Sequence, residues 1–177
     1  GQCSNSKKYK NVHIGFQLQD SKQFVKMMEL CYDPIQHTTL YVGFKISKGI
    51  KNGQKVARTG YFKTELFRDN LKMSFNNIYK DQKTRIRTVL GRELDEELNV
   101  LQKGHLAAYA NFPYHSQQQA TMYAINTVPQ FRGVNTGNWK KLEDKLRSYA
   151  TEQDLDLKVY VGTYSVLKLT ADNGKQR

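Results

Sequence analysis

A chain of 177 residues that is 38% hydrophobic and 11% aromatic is long enough for one domain with a buried core. No apolar run in it approaches the roughly 20 residues a membrane-spanning helix needs. With 28 Lys and Arg against 16 Asp and Glu, the net charge of +12 points to a polyanionic partner: nucleic acid first, then heparin-like glycans or an acidic membrane surface. A solvated basic surface with no partner is the plain alternative.

The first eight residues are polar and carry no apolar h-region, so no signal peptide is expected in them; a mature secreted chain would look the same. Residues 11–18 alternate in the manner of a strand. His13 lies among apolar residues and reads as structural. Asp20 or Ser21 is placed to cap a helix running to about Tyr32, with Phe24, Met27, Met28 and Cys31 on its buried side and Pro34 just beyond its end. The two cysteines, Cys3 and Cys31, fit no zinc spacing; they are either bridged, tying the amino-terminal arm to that helix, or two separate thiols. Thr38 to Ile46 is rich in β-branched and aromatic residues and reads as a strand, followed by a basic loop in which Asn52-Gly53 favours a tight turn.

Basic residues concentrate between Lys45 and Arg92, opposed only by Glu65, Asp69 and Asp81. Residues 66–79 look irregular. From Lys80 to Leu98, Ile86, Val89, Leu90, Leu94 and Leu98 recur at helical spacing, with Gly91 interrupting. Asp95, Glu96 and Glu97 fan around that helix and cannot converge on one ion. Leu101 to Ala108 reads as a strand, His115 as a surface-loop residue, and Met122 to Val128 as a strand carrying Asn126. A loop through Asn135 then leads to a helix from about Asn138, anchored by Trp139. Asn135 and Glu143 are about 80° apart around such a helix, and Glu143 and Arg147 share a face, where an ordinary ion pair is the bland reading. Leu157 to Tyr164 and Val166 to Leu169 read as two further strands, and the last residues as a surface loop.

Three ordered segments carry a family resemblance. Gln102-Lys103-Gly104-His105-Leu106-Ala107-Ala108 resembles the Asp-Arg-Gly-His signature of the DNA/RNA non-specific endonucleases, the ββα-metal or His-Me finger group. Ala124-Ile125-Asn126-Thr127-Val128-Pro129-Gln130 is similar to that family's Asn-x-x-Pro-Gln segment. Asn135-Thr136-Gly137-Asn138-Trp139-Lys140-Lys141-Leu142-Glu143 is similar to its Asn-x-Gly-x-Trp-x-x-Leu-Glu helix. The similarity is densest from Leu101 to Arg147, and a looser likeness to secreted arthropod members, salivary nuclease-like proteins of blood-feeding flies among them, reaches back to Cys31-Tyr32-Asp33. That likeness favours the Cys3–Cys31 bridge and a secreted, extracellular location.

The resemblance implies an α+β fold, a mixed β-sheet with flanking helices and a ββα-metal motif at about residues 100–150. It implies one nuclease-like domain over 1–177, shortened at its C-terminal end and completed by further strands that are absent or belong to a separate polypeptide. It implies hydrolysis of DNA and RNA phosphodiesters with Mg²⁺, for which Mn²⁺ could substitute, and no membrane partner. His105 would be the general base, suited to it because imidazole titrates near neutral pH. Asn135 would offer a hard amide oxygen to Mg²⁺, and Glu143 would hold the metal's water shell. Asn126 would position the loop and a water; Lys103 and Arg147 would meet the phosphate, as would Arg58, which lies where the family places an arginine and which is otherwise a solvated loop residue.

Two positions depart from the signature. Gln102 stands where the family has Asp and removes a negative charge. Lys103 stands where it has Arg and loses the bidentate fork. The expected enzyme is therefore a weakened one. The rival is a binding module on a decayed nuclease fold, and a glycan binder of another fold is a third reading.

Overall fold

The computed structural model describes residues 3, 7–54, 56–57, 60–64, 79–93 and 100–177. Arg58, the irregular stretch 66–78 and the acidic run Asp95–Glu97 lie outside the described residues. Four strands, β1 (Lys10–Gln17), β2 (Phe24–Asp33), β3 (Thr38–Ile46) and β6 (Leu157–Gly162), form an antiparallel sheet in the order β1-β2-β3-β6. A second antiparallel ladder joins β4 (Leu101–His105) to β5 (Thr127–Phe131). An isolated bridge, Lys63 to Tyr123, runs parallel. Among the described residues three α-helices accompany the sheets: α1 (Gln82–Leu90), α2 (His115–Ala120) and α3 (Trp139–Glu152). The α+β expectation holds.

Register explains the core. Ile14, Met28, Phe44 and Val159 stand in one row across the four strands, and Val12, Leu30, Val42 and Val161 in the next. Strand residues two apart share a face, so these rows turn one side of the sheet inward. They pack there with Leu106, Phe112, Ile125 and Ala150 from the elements that carry the site.

The helix expected up to Tyr32 is strand β2. Met28, Leu30 and Tyr32 are 0–1% exposed and alternate inward, whereas Phe24, on the expected helical face, is half exposed. Phe24, Met27, Met28 and Cys31 match a helical stripe, but the same run also alternates, and partners on both sides supply ladder hydrogen bonds that a helix would forgo. Ser21 accepts the Gln23 N–H within the β1–β2 turn and caps no helix. The following turn is closed by Asp33, whose Oδ1 accepts the N–H groups of Ile35 and Gln36 at 2.9 and 3.0 Å. His13 lies exposed on β1 opposite Glu29, outside the core.

Gly91 ends α1 at Leu90; it adopts φ +78°, and its N–H closes the helix on the Arg87 carbonyl. His115 opens α2 and is not a loop residue. Val166 to Leu169 forms no strand. Leu169 and Arg177 exchange backbone hydrogen bonds, and the Asp172 N–H reaches the Leu90 carbonyl, so the last residues fold back onto the end of α1. Ala171 is buried there.

Cys3 and Cys31 form a disulfide with 5.6 Å between Cα atoms and a sequence separation of 28. The bridge joins the amino-terminal arm to β2. Closing a loop of this length stabilises by roughly 2–4 kcal/mol. Cys3→Ser is therefore expected to lower the melting temperature by about 10 °C, and the parent under reductant should fall equally. Calorimetry checks both.

Candidate active site

β4 carries the first group of side chains. Alternation sends Lys103 and His105 out on one face and Gln102 and Gly104 on the other. His105 is 9% exposed, and its ring lies 4.9 Å from Phe62, centroid to centroid. Lys103 Nζ sits 5.7 Å from the centre of the same Phe62 ring and 5.5 Å from that of Tyr79. Two aromatic faces thus hold an ammonium that has no planar fork of its own. Burial pushes the Tyr79 hydroxyl up to about 12, so at neutral pH it stays neutral beside this cation. Phe62 is held in place by its neighbour Lys63, whose N–H donates to the Met122 carbonyl and whose carbonyl accepts from Ala124.

The opposite face of β4 holds the second group. Gly104 lies beneath Gln130: a Cβ there would come within 2.4 Å of Gln130 Oε1. The glycine is needed for that contact. Gln130 Oε1 is buried and accepts no hydrogen bond among the described residues. Gln102 Oε1 accepts a 2.9 Å hydrogen bond from Asn135 Nδ2. Asn135 is thereby docked on β4 three residues before His105, about 10 Å along the strand at ~3.3 Å per residue. It belongs to a π-helical turn, Val134–Asn138, broken at Gly137 and continuous with α3.

Asn126 is wholly buried in a 3-10 turn, Ala124–Asn126, ahead of β5, where the sequence suggested a strand. Its Oδ1 accepts the Ala107 N–H at 2.9 Å, and its Nδ2 donates to the carbonyls of Ala107 and Thr121 at 2.9 and 3.0 Å. Its own carbonyl accepts the Leu106 N–H. These bonds fix the backbone that leaves His105, and they occupy the whole side-chain amide.

α3 carries the third group. Burial raises the Glu143 carboxyl above the ordinary carboxylate range; Arg147 opposes that shift, Asp144 reinforces it, and the Trp139 indole and Lys140 oppose it. The Trp139 indole N–H faces Glu143 without forming a well-shaped hydrogen bond. Arg147 donates from Nη1 to Asn111 Oδ1 at 2.8 Å and from Nη2 to Asp144. Asn111 is 2% exposed and lies in the turn after β4, so this pair ties α3 to the segment downstream of His105. A cavity of about 560 Å³ opens beside Arg147, with Lys51, Gln54, Tyr109 and Gln118 in its wall. Lys140 holds Asp144 in its ionised form, with Arg147 adding to the effect.

A raised Glu143 has a consequence for stability. The folded state then binds this proton more readily than the unfolded chain, so the contribution is complete below the unfolded value and disappears as pH rises through the folded one. Without divalent ions, Glu143→Gln should gain stability relative to the parent between acid and neutral pH. Paired denaturant titrations at both ends of that window test the sign.

The described residues contain no group of three or more His, Cys, Asp or Glu side chains able to hold a metal ion. The oxygens available near β4 are neutral amides, those of Asn135 and of the orphaned Gln130, with Glu143 on the neighbouring helix. Such a set suits a hard cation that keeps most of its water, and Mg²⁺ behaves in that way. It does not suit a tightly caged transition metal.

The sequence-predicted residues Lys103 and His105 therefore share one face, Asn135 docks on the other through Gln102, and Glu143 and Arg147 share α3. Phe62, Tyr79, Asn111 and Asp144 were missed. An aromatic beside Lys63 was the one local hint for Phe62; Asn111 carries no local signal. Among the described residues, no helix is long and apolar enough to cross a membrane.

Comparison with known proteins bears on the family and the fold. The family described as DNA/RNA non-specific endonuclease matches residues 5–177. The chain is 32% identical over 162 residues to a "Salivary endonuclease" of Lutzomyia longipalpis, covering 88% of this chain and 38% of that protein. It is 28% identical over 173 residues to "Salivary protein Tsal1" of Glossina morsitans morsitans, covering 92% of this chain and 42% of that protein. It therefore spans about two-fifths of the length of these relatives. A chain in the crystal structure of the EndoG/EndoGI complex shares its fold, with TM-score 0.59 at 20% identity over 93% of this chain and 61% of that one. The chain belongs to the DNA/RNA non-specific endonuclease family.

Proposed function

We propose that the chain is the cutting part of a secreted, Mg²⁺-dependent endonuclease that hydrolyses DNA and RNA without regard to sequence, binding firmly and turning over slowly. The observation that carries this reading is strand β4, which within four residues holds a buried imidazole at His105 and a clamped ammonium at Lys103 and docks Asn135 through Gln102. His105 takes the proton of the attacking water. Lys103, held over Phe62 and Tyr79, meets the scissile phosphate and offsets its growing charge. Arg147, with Nη1 and Nη2 each engaged inside the protein, braces α3 and presents its remaining N–H groups towards the neighbouring cavity and the substrate backbone. Arg58 is a further phosphate contact. Asn135 would hold the Mg²⁺ and Glu143 would order the water around it; bound there, the ion would supply charge stabilisation for the leaving oxygen. Asn126 keeps the exit of β4 rigid so that the imidazole is aimed.

The charge of +12 supplies sequence-independent affinity for phosphate backbones. The disulfide, which persists in oxidising surroundings, and the salivary names of the relatives support secretion.

The second reading, a binder with no turnover, is favoured by Gln102 and Lys103. Restoring the signature separates the two. Gln102→Asp with Lys103→Arg should raise the single-turnover rate at least about 10-fold, since small errors of placement cost rate far more than affinity. Salt-dependent affinity for duplex DNA and for RNA should hardly change. If the restored protein still cuts nothing, the binding-module reading stands.

A further inference from the structure

We propose that Gln102 is a positioning residue for Asn135, taking over by hydrogen bonding an orientation role that needs no charge. The inference rests on the reading of Asn135 as the Mg²⁺ ligand. Among the described residues, the bond to Gln102 Oε1 at 2.9 Å is the one hydrogen bond the structure gives the Asn135 side chain. The backbone around Asn135 cannot set its amide alone. The turn Val134–Asn138 is π-helical, has no side-chain cap and breaks at Gly137, where φ and ψ are −100° and −109°.

An Asn amide has two chemically different ends, and only the oxygen end ligates a cation. Gln102 Oε1 is an acceptor, so it selects the Nδ2 end of Asn135. Oδ1 is thereby turned away from β4 and left as the hard oxygen. Without that selection the amide would be free to rotate about its last torsion and present its NH₂ group half the time, since this torsion is broad and roughly two-fold. Gln102 stands opposite Gln130 on the same face of the ladder, where among the described residues no donor reaches the buried Gln130 Oε1, so the Gln102–Asn135 bond does not depend on Gln130. Gln102 thus keeps the acceptor that Asn135 requires and gives up the charge.

The test uses the full chain without nucleic acid. Mn²⁺ binding is measured by electron paramagnetic resonance, and the Asn135 side-chain amide by ¹⁵N NMR in the metal-free protein. Gln102→Met keeps the length of the side chain and removes the acceptor; Gln102→Glu keeps both length and acceptor. Outer-shell partners of this kind are worth roughly 10–100-fold in metal affinity. Gln102→Met is expected to weaken Mn²⁺ binding by that factor, and to move the Asn135 NH₂ resonances toward those of a free amide, with an unchanged metal-free melting temperature. Gln102→Glu should bind Mn²⁺ at least as tightly as the parent, a rescue that a merely structural role would not give. If Gln102→Met binds Mn²⁺ like the parent, or leaves the Asn135 resonances in place, the inference is wrong and the metal reading survives. If the parent itself binds no Mn²⁺, the metal reading fails first and takes the inference with it. Should Gln102→Met fail to fold, Gln102→Leu and the parent-to-Glu comparison decide the same question.

Discussion

His105→Ala is expected to lower Mg²⁺-dependent cleavage by about 10²–10⁴-fold while leaving nucleic-acid affinity within about two-fold of the parent. The rate effect follows from losing a general base beside the reacting phosphate. The affinity should persist because the charge of +12 is distributed over many Lys and Arg side chains. The fold should also persist, since His105 lies at the end of a five-residue strand and its backbone remains paired with Thr127. A cavity beside Phe62 would cost some stability, so melting and cleavage must be read together. Equal cleavage by parent and variant would remove His105 from the mechanism.

Asn126→Ala is expected to act on stability. It removes both amide poles at once and leaves the Ala107 N–H, the Ala107 carbonyl and the Thr121 carbonyl buried without their partner. Unsatisfied buried groups cost about 1–3 kcal/mol each, so a loss of about 3–5 kcal/mol is expected after partial relaxation. For a chain of this size, that is a fall of roughly 10–15 °C in melting temperature. Asn126→Asp should be no better, because a carboxylate keeps the acceptor for the Ala107 N–H but has no hydrogen to donate to the two carbonyls. Thermal unfolding of the three proteins checks this order. A parent-like melting curve for Asn126→Ala would mean that the turn after His105 is held by other contacts.

The effect of Asn126 shows how the sequence was informative and where it stopped. Its place between the histidine strand and the Asn135 segment was legible, because three motifs occur in order. Its part in the structure was not: the amide reaches 19 residues back to Ala107 and ties two backbones. Arg147 is similar. Its partner Asn111 lies 36 residues away and carries no local pattern, so the sequence could offer only an ion pair with Glu143, whereas the guanidinium binds Asn111 and Asp144.

The same limit governs the fold. β1, β3 and β6 were readable from alternation or β-branched content, whereas β4, Leu-Gln-Lys-Gly-His, has neither and was placed through the family resemblance. β2 was misread because Phe24, Met27, Met28 and Cys31 satisfy a helical stripe, and only neighbours on both sides decide for a strand. In the run read as helical from Lys80 to Leu98 with Gly91 interrupting, α1 ends at the left-handed Gly91 as expected, and Leu94 and Leu98 lie outside the described residues. The two departures at Gln102 and Lys103 looked like losses in one dimension. In three dimensions each has acquired partners, Asn135 for one and the Phe62–Tyr79 pair for the other.

The central claim is that these partners leave a slow, metal-requiring nuclease. Incubation of the complete protein with closed circular plasmid DNA and with a structured RNA, in Mg²⁺ and in chelator, tests it most directly. Nicking and then degradation of both substrates are expected in Mg²⁺, none in chelator, and tight binding in both. Binding of both substrates with no strand breaks at any Mg²⁺ concentration would contradict it.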